Sequence, residues 1–362
     1  MDYLSLCLIC KDENDYLAEW LDYHILMGVD RFYIYDNQSQ VSLRETLKEY
    51  IERGWVVVMD IRGQGVQLYA YDHCLQAFGT QTRWLGFIDT DEFLVSKSAP
   101  DLKELLKEYE QYGGLAVSSL FFGSGGQIDR PALGQIASYT LRTHQSFHEN
   151  TLTKCIVQPA RTRMPYSPHD FIYKENFWCV NEGFLRVDNQ DFPNHIEKIQ
   201  LNHYFCRSTA EIELKLRRGR GDTGDAYARL RFEGVNRLAT FQDTTILQNL
   251  DMLIENSETV RNNILEMPVS AGLLEKLATL VRTRCPIPSG LDPSGEVTLR
   301  SEITNFLEIE AQYKLIKERH DYQELKQWLL RKLEIFPQRS TLHVDLAICY
   351  INLSDPQMPG RR

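Results

Sequence analysis

The stretch Trp84-Leu85-Gly86-Phe87-Ile88-Asp89-Thr90-Asp91-Glu92-Phe93 decides how this chain is read. The run from Trp84 to Ile88 makes a buried strand, and two carboxylates one residue apart stand where that strand gives way to a loop. Hard oxygen donors so spaced suit Mg²⁺ or Mn²⁺, and a cation held by few protein ligands carries phosphate oxygens on its other faces. An Asp-x-Asp by itself is an ordinary solvated turn, so its weight depends on what surrounds it.

Outward from that stretch, strands and helices alternate. Residues 3–10 read as a buried strand, and between Asp15 and Met27 the apolar residues Leu17, Trp20, Leu21 and Ile25 fall at helical spacing before Gly28 closes the turn. Arg31 to Tyr35 is a second strand. Ser42 followed by Glu45 is a capping-box signature opening a helix that Gly54 ends, and Trp55 to Met59 is a third strand. A helix through Tyr69 to Phe78, the strand Trp84 to Ile88, a helix over about 101–112 and a strand Leu115 to Phe122 continue the beat. The expected fold is α/β: a mostly parallel sheet flanked by helices. Ligands of such sheets bind at the carboxyl ends of the strands. There this chain places Lys11-Asp12-Glu13, Asp36-Asn37, Asp60 and Asp89-Thr90-Asp91-Glu92.

Composition narrows the function classes. The chain has 362 residues, 43% hydrophobic, with a formal net charge of -10, which argues against a general nucleic-acid or membrane-surface binder. Between Arg207 and Arg237, however, eight basic residues face five acidic ones. No run approaches the roughly 18 apolar residues of a membrane-spanning helix, and Met1-Asp2-Tyr3 lacks the positive start of a signal peptide, so the expected location is cytoplasmic. Cys7 and Cys10 form a C-x-x-C in an apolar strand with no second pair at zinc spacing, and read as buried thiols.

Beyond Gly123-Ser124-Gly125-Gly126 the pattern is irregular, with strand-like pieces at Thr153 to Val157, Phe171 to Tyr173, Phe184 to Val187 and Gln200 to Phe205, and a helix from Ala210 to Arg217. Helical sequence dominates from Thr244 onward, broken by the linker-like Cys285 to Gly290. Tyr322 to Tyr350 reads as one helical hairpin of tetratricopeptide type; one repeat cannot bury its own face, so it should pack on the main domain or on a protein partner. The expected division is a main domain over 1–240, a helical extension and linker over 241–290 and a helical segment over 291–362, ending in a tail from Pro356.

If Asp89 and Asp91 hold a cation that bridges a diphosphate, the remaining phosphate charge must be met by lysine or arginine. His203 precedes Lys215 by 12 residues and Arg218 by 15, so one strand-to-helix connection brings an imidazole and two cations together. The imidazole can complete a Mn²⁺ site and the cations can contact the phosphates.

These residues resemble glycosyltransferase family 92 and its bacterial relatives. The resemblance runs through Lys11-Asp12-Glu13 with Glu19-Trp20-Leu21 and Tyr23-His24, Gly28-Val29-Asp30, Phe32 to Asn37 and Ser39, Gln67, Tyr71, Cys74-Leu75 and Phe87 to Phe93. It continues at Lys154, Pro159, His169, His203-Tyr204-Phe205, Arg207-Ser208, Glu211, Lys215 and Arg218-Gly219. It implies a GT-A type fold and transfer of a sugar from a nucleotide sugar, commonly a UDP-sugar, to a glycan or other hydroxyl acceptor. Asp89 and Asp91 carry over as donor and metal ligands, His203 as the third ligand of Mn²⁺ or Mg²⁺, and Asp36 as a nucleoside contact. Lys11, Asp12 and Glu13 would line the nucleoside pocket, and Lys215 and Arg218 would bind the diphosphate as it leaves. The family pattern has asparagine where Asp12 stands. The mechanism expected is inverting displacement at the anomeric carbon with one carboxylate removing the acceptor proton. Asp170 is the first candidate for that base, followed by Glu149 and Glu182.

Three other readings compete. An aspartate-nucleophile phosphatase carries its Asp-x-Asp on the first strand, whereas here it follows the fourth. A dinucleotide oxidoreductase needs Gly-x-Gly-x-x-Gly where this chain has Lys11-Asp12-Glu13. A non-catalytic scaffold built on the helical C-terminus would leave the carboxylates as surface residues.

Overall fold

The computed structural model describes residues 1–187, 194–221, 223, 225–255, 272–282, 316, 322–335, 349 and 353. The chain divides into two compact units, residues 1–186 with 193–298, and residues 187–192 with 299–362.

In the first unit the expected alternation forms. Strand β1 (Asp2–Cys10) leads into helix α1 (Asn14–Leu26), then β2 (Arg31–Asp36), the short helices α2 (Leu43–Thr46) and α3 (Lys48–Glu52), β3 (Val56–Asp60), α4 (Gln67–Phe78) and β4 (Thr82–Phe87). These four strands pair in parallel, in the order β3-β2-β1-β4. Register puts Cys10 beside Asp36 and Asp36 beside Asp60, so their carboxyl ends share one edge. The helix expected from Ser42 to Gly54 is broken at Leu47, and Ser42 makes no side-chain cap. Asn14 Nδ2 instead donates to the Thr46 hydroxyl at 2.7 Å and ties that turn to α1.

Beyond β4 the sheet departs from the parallel expectation. Strand β5 (Glu92–Ser96) follows the Asp-x-Asp turn at once, and α5 (Leu102–Leu106), a 3₁₀ turn, β6 (Gly114–Phe121), α6 (Gly134–Ser138) and the short β7 (Leu141–Arg142) come next. Then come β8 (Thr153–Val157), β9 (Thr162–Ser167), β10 (Asp170–Tyr173), β11 (Cys179–Val180) and β12 (Ile199–His203). The main sheet runs β3-β2-β1-β4-β8-β6-β12-β5, with β11 also on β6. Strand β8 is antiparallel to both β4 and β6, and β5 is antiparallel to β12. These reversals carry the amino ends of β8 and β5, with Lys154 and Glu92, to the edge where the other strands end. The piece Phe184 to Val187 is not a strand; Arg186 makes a single bridge to Val180.

Helices α7 (Thr209–Arg218), α8 (Arg229–Leu238) and α9 (Thr245–Glu255), the small pair formed by β7 with β13 (Phe241–Gln242), and the helix Leu273–Arg282 complete the described part of this unit. The capping box that does form is at α7, where the Ser208 hydroxyl accepts from Glu211 N and the Glu211 carboxylate from Ser208 N. Strand β5 ends the sheet, and its outer carbonyls are met from α1: Trp20 Nε1 donates to Glu92 O at 2.9 Å and Tyr23 Oη to Leu94 O at 3.0 Å. An edge covered in this way is less open to pairing with another chain. Cys7 and Cys10 are buried free thiols, as expected. The mixed α/β sheet flanked by helices is the architecture that the GT-A resemblance implies.

In the second unit the helix Tyr322–Ile335 is present, with Leu325, Trp328 and Leu329 buried. The linker Cys285 to Gly290, the segment Leu342 to Ala347 of the expected hairpin and the tail from Pro356 lie outside the described residues. No described helix is long and apolar enough to cross a membrane.

Candidate active site at the carboxyl edge

Each carboxylate of the Asp-x-Asp turn meets a lysine from a different element. Asp89 Oδ2 accepts from Lys154 Nζ at 2.7 Å, and Asp89 Oδ1 from Gln67 Nε2 at 3.1 Å, at the start of α4. Asp91 Oδ2 accepts from Lys215 Nζ at 2.5 Å, and the same ammonium also donates to Phe205 O at 2.7 Å. Glu92 stands between them, its carboxylate accepting from Asp89 N at 2.9 Å and lying 3.3 Å from Lys154 Nζ. His203, across from Glu92 in the β12–β5 register, has Nδ1 3.6 Å from Glu92 and Nε2 3.7 Å from Asp91.

Burial and charge set the protonation of these groups. Burial opposes ionisation of Asp91, but Lys215, then His203 and Arg207, overcome it and hold its carboxyl well below the usual carboxylate range. Burial raises Glu92 to about 8 against the pull of Lys154, with Asp89 and Asp91 adding to the rise, so Glu92 is largely protonated at neutral pH. Burial lowers His203 to about 3, leaving a neutral imidazole. Burial disfavours the charged form of Lys154, yet Asp89 and Glu92 hold it charged well above the ordinary lysine range. The inner site therefore sets Asp91 and Lys154, both held in their charged forms, beside a neutral imidazole.

A second cluster fixes the loops around this core. Glu13 is buried between Arg207, whose Nη1 lies 2.6 Å away, and Arg218, whose Nη1 lies 2.7 Å away; Arg218 Nη1 also donates to Lys11 O at 2.6 Å. Arg207 Nε donates to Gln135 Oε1 at 2.9 Å, and Gln135 Nε2 donates to Thr90 O at 3.1 Å, inside the Asp-x-Asp turn. Gln135 is placed by Glu19, which accepts from Gln135 N and Ile136 N at 2.7 and 3.0 Å. Asp12, at φ 56, accepts from Gln40 N at 2.7 Å, and Asp36 accepts from Ser39 N at 2.8 Å. Among residues with a side chain, aspartate and asparagine are those that most readily adopt left-handed backbone, which accounts for either one at position 12.

Asp89, Asp91, His203 and Lys215 are thus brought together, with Arg218 and Glu13 beside them and Asp36 and Asp12 on the neighbouring loops. Glu13 is committed to two guanidinium groups rather than standing open. The three candidate bases fall apart. Glu182 is buried at the far, amino end of β12, where its carboxylate accepts three backbone amides from Glu197, Lys198 and Ile199 at 2.6, 2.8 and 2.9 Å. Glu149 pairs with Arg231 at 2.6 Å, and that guanidinium lies over the Phe205 ring. Asp170 opens β10 and accepts from Phe171 N, and its neighbour His169 contacts Thr153 O at 2.9 Å, next to Lys154. Lys154, Glu92, Gln67, Arg207 and Gln135 were assigned no role from the sequence. Lys154 carried a readable signal, being a lysine within the apolar run Thr153 to Val157.

Among the described residues, no three of His, Cys, Asp and Glu converge closely enough to hold a metal ion by themselves. The donor chemistry nonetheless fits a divalent cation. Two ligands each about 2.1 Å from one cation lie roughly 3 to 4 Å apart. The 3.7 Å from Asp91 Oδ1 to His203 Nε2, too long for a hydrogen bond, falls in that range. Asp89 keeps an oxygen whose partner is only an amide.

Comparison with known proteins bears on the same segment. A family 92 glycosyltransferase protein of Ricinus communis is 25% identical over 196 residues, covering 52% of this chain and 35% of the relative. A β-1,4-galactosyltransferase of Caenorhabditis elegans is 30% identical over 212 residues, 51% of this chain and 48% of the relative. The chain thus spans between a third and a half of these relatives' own length. Among solved structures, Staphylococcus aureus TarS 1-349 in complex with UDP-GlcNAc aligns over 77% of this chain and 82% of its own at 13% identity, with a TM-score of 0.33. A TM-score that low leaves the fold to rest on its own strand order. Residues 3–177, which build β1 to β10 and carry Asp89, Asp91, Glu92 and Lys154, match glycosyltransferase family 92, and the sequence relatives support the same family.

Proposed function

We propose that this chain is a hexosyltransferase that moves a sugar from a UDP-sugar to a glycan or other hydroxyl acceptor, with inversion and with the help of Mn²⁺ or Mg²⁺. The observation that carries the reading is the lysine-paired Asp89 and Asp91 beside a neutral His203 at the carboxyl edge of the sheet. Asp89, Asp91 and His203 would hold the cation, which when bound neutralises the diphosphate. Lys215 and Arg218 would supply the remaining positive charge to the leaving diphosphate, where negative charge grows in the transition state. Asp12 and Asp36 brace the two loops against which the nucleoside would lie. Asp170, which opens β10, is the first base to test for the acceptor hydroxyl, followed by Glu149 and Glu182.

The relatives named as β-1,4-galactosyltransferases make UDP-galactose the first donor to test. The assay is UDP release from UDP-hexoses with Mn²⁺, with and without glycan acceptors. Asp91→Asn should abolish turnover and weaken Mn²⁺-dependent UDP binding at least a hundredfold by calorimetry, with the fold intact by circular dichroism. Wild-type protein that neither binds UDP nor turns over any UDP-hexose refutes the assignment.

A further inference from the structure

Each aspartate of the turn already has a lysine on it before any ligand arrives: Lys154 on Asp89 and Lys215 on Asp91. The two lysines are held differently. Lys154 is 2% exposed, projects from the middle of the sheet and contacts both Asp89 and Glu92. Lys215 comes from the helix α7, contacts one carboxylate, and has its second bond to a carbonyl, Phe205 O, which draws it away from the turn. Lys215 sits on Asp91 Oδ2, while the other oxygen, Oδ1, is the one that faces His203.

We infer that Lys215 is an exchange group: without ligand its ammonium occupies Asp91 in place of a divalent cation, and when the cation binds with a nucleoside diphosphate it shifts onto the phosphates. This rests on the proposed function and adds an order to it. A cation between Asp91 Oδ1 and His203 would lie within a few ångströms of the Lys215 ammonium, with the single Asp91 carboxylate shared between the two positive charges. The cation alone therefore binds weakly. A diphosphate brings the negative charge that both cations can share, so cation and nucleotide bind with strong positive coupling, which is reciprocal by linkage.

The test uses the full chain and reads binding rather than turnover. Mn²⁺ alone is titrated by the loss of the free-ion electron paramagnetic resonance signal, and UDP is titrated by calorimetry with and without Mn²⁺. Three proteins are compared: wild type, Lys215→Gln and Lys215→Arg. Glutamine keeps a donor for Asp91 and Phe205 O but removes the charge, while arginine keeps the charge. In wild type, Mn²⁺ should tighten UDP at least tenfold. Lys215→Gln should bind Mn²⁺ alone at least tenfold more tightly than wild type, yet bind UDP with Mn²⁺ at least tenfold more weakly. Lys215→Arg should bind Mn²⁺ alone as weakly as wild type. If wild type shows the coupling and Lys215→Gln leaves the affinity for Mn²⁺ alone unchanged or reduced, the exchange is overturned and the proposed function stands. If wild type binds UDP equally with and without Mn²⁺, or binds no UDP, the metal-dependent reading and the exchange fall together.

Discussion

Lys154→Met gives the most direct measure of how the inner site is held together. The methionine keeps the length and apolar contacts of the lysine stem while removing a charge that lies 2.7 Å from Asp89 and 3.3 Å from Glu92. At an effective dielectric near 20, opposite charges about 3 Å apart attract by roughly 5 kcal/mol, from which desolvation of the ammonium subtracts several kcal/mol. Breaking a buried pair costs about 3–5 kcal/mol because it strands the partner charge. Two features reduce that here. The Asp89 side chain is 33% exposed, so solvent screens it, and Glu92 carries a proton at neutral pH. The expected loss is about 2–3 kcal/mol at pH 7, read from urea unfolding. Its pH dependence has a definite sign. The Glu92 pKa is raised from 4.5 to about 8, so its contribution to stability is intact below pH 4.5 and is lost as pH rises through 8. Lys154 is the cation that restrains this rise, so without it the pKa climbs further and the deficit relative to wild type widens above pH 8. Adding Glu92→Gln should abolish the widening. A loss under about 1 kcal/mol, or an equal loss at pH 6 and pH 9, would refute the reasoning.

Three further variants probe the frame around that core. Gly134 has φ 75, and a Cβ there would lie 2.5 Å from Glu19 Oε1, so Gly134→Ala should cost about 1–3 kcal/mol of stability and, by shifting Gln135 off the Thr90 carbonyl, raise KM for the donor more than it lowers kcat. Burial raises Glu19 to about 7 against the pull of the Gln135 and Ile136 amides. Its contribution is therefore present below about pH 4.5 and lost as pH rises through 7, on the order of 3 kcal/mol, and Glu19→Gln should flatten that slope in pH-resolved melts. Arg207→Ala leaves Glu13 with Arg218 alone and Gln135 without its donor, and should cost about 2–4 kcal/mol in denaturant titration.

The parallel half of the sheet was legible because its strands are apolar on both faces and its helices carry their own period and terminators. Strand direction was not. Nothing local in Thr153 to Val157 or Glu92 to Ser96 records that β8 and β5 run antiparallel, since that is decided by which neighbours remain unpaired once β4, β6 and β12 are in place. These two reversals bring Lys154 and Glu92 into the site, which is why the sequence pointed to Asp89, Asp91 and His203 but left their buried partners without roles. Carboxylates were the least readable. Glu182 and Glu149 look alike in sequence, and their fates depend on the backbone amides at Glu197 to Ile199 and on Arg231. The capping signal behaved the same way: Ser42 and Glu45 fit the pattern but form no side-chain cap, whereas Ser208 and Glu211 form one.

Strain and buried charge coincide at this edge. Of five described non-glycine residues with positive φ, three stand on its loops: Asp12 after β1, Gln38 after β2 and Arg207 after β12, at 56, 62 and 54°. Each such conformation costs on the order of 1 kcal/mol or more. Arg207 adds to this, because its guanidinium is buried with Nη2 lacking a hydrogen-bond partner while the rest is held by Glu13, Gln135 and the Tyr16 ring at 4.1 Å. Packed apolar groups in place of a whole buried ion pair often stabilise a protein. What they would remove is the electrostatic hold on Asp91, to which Arg207 contributes after Lys215 and His203. Arg207 is therefore a positioning residue that helps hold the Asp91 carboxyl below the usual carboxylate range. It follows that Arg207→Met should recover more stability than Arg207→Ala yet weaken Mn²⁺-dependent UDP binding as much. A methionine variant that binds UDP with Mn²⁺ as wild type does would show that Arg207 serves the fold alone.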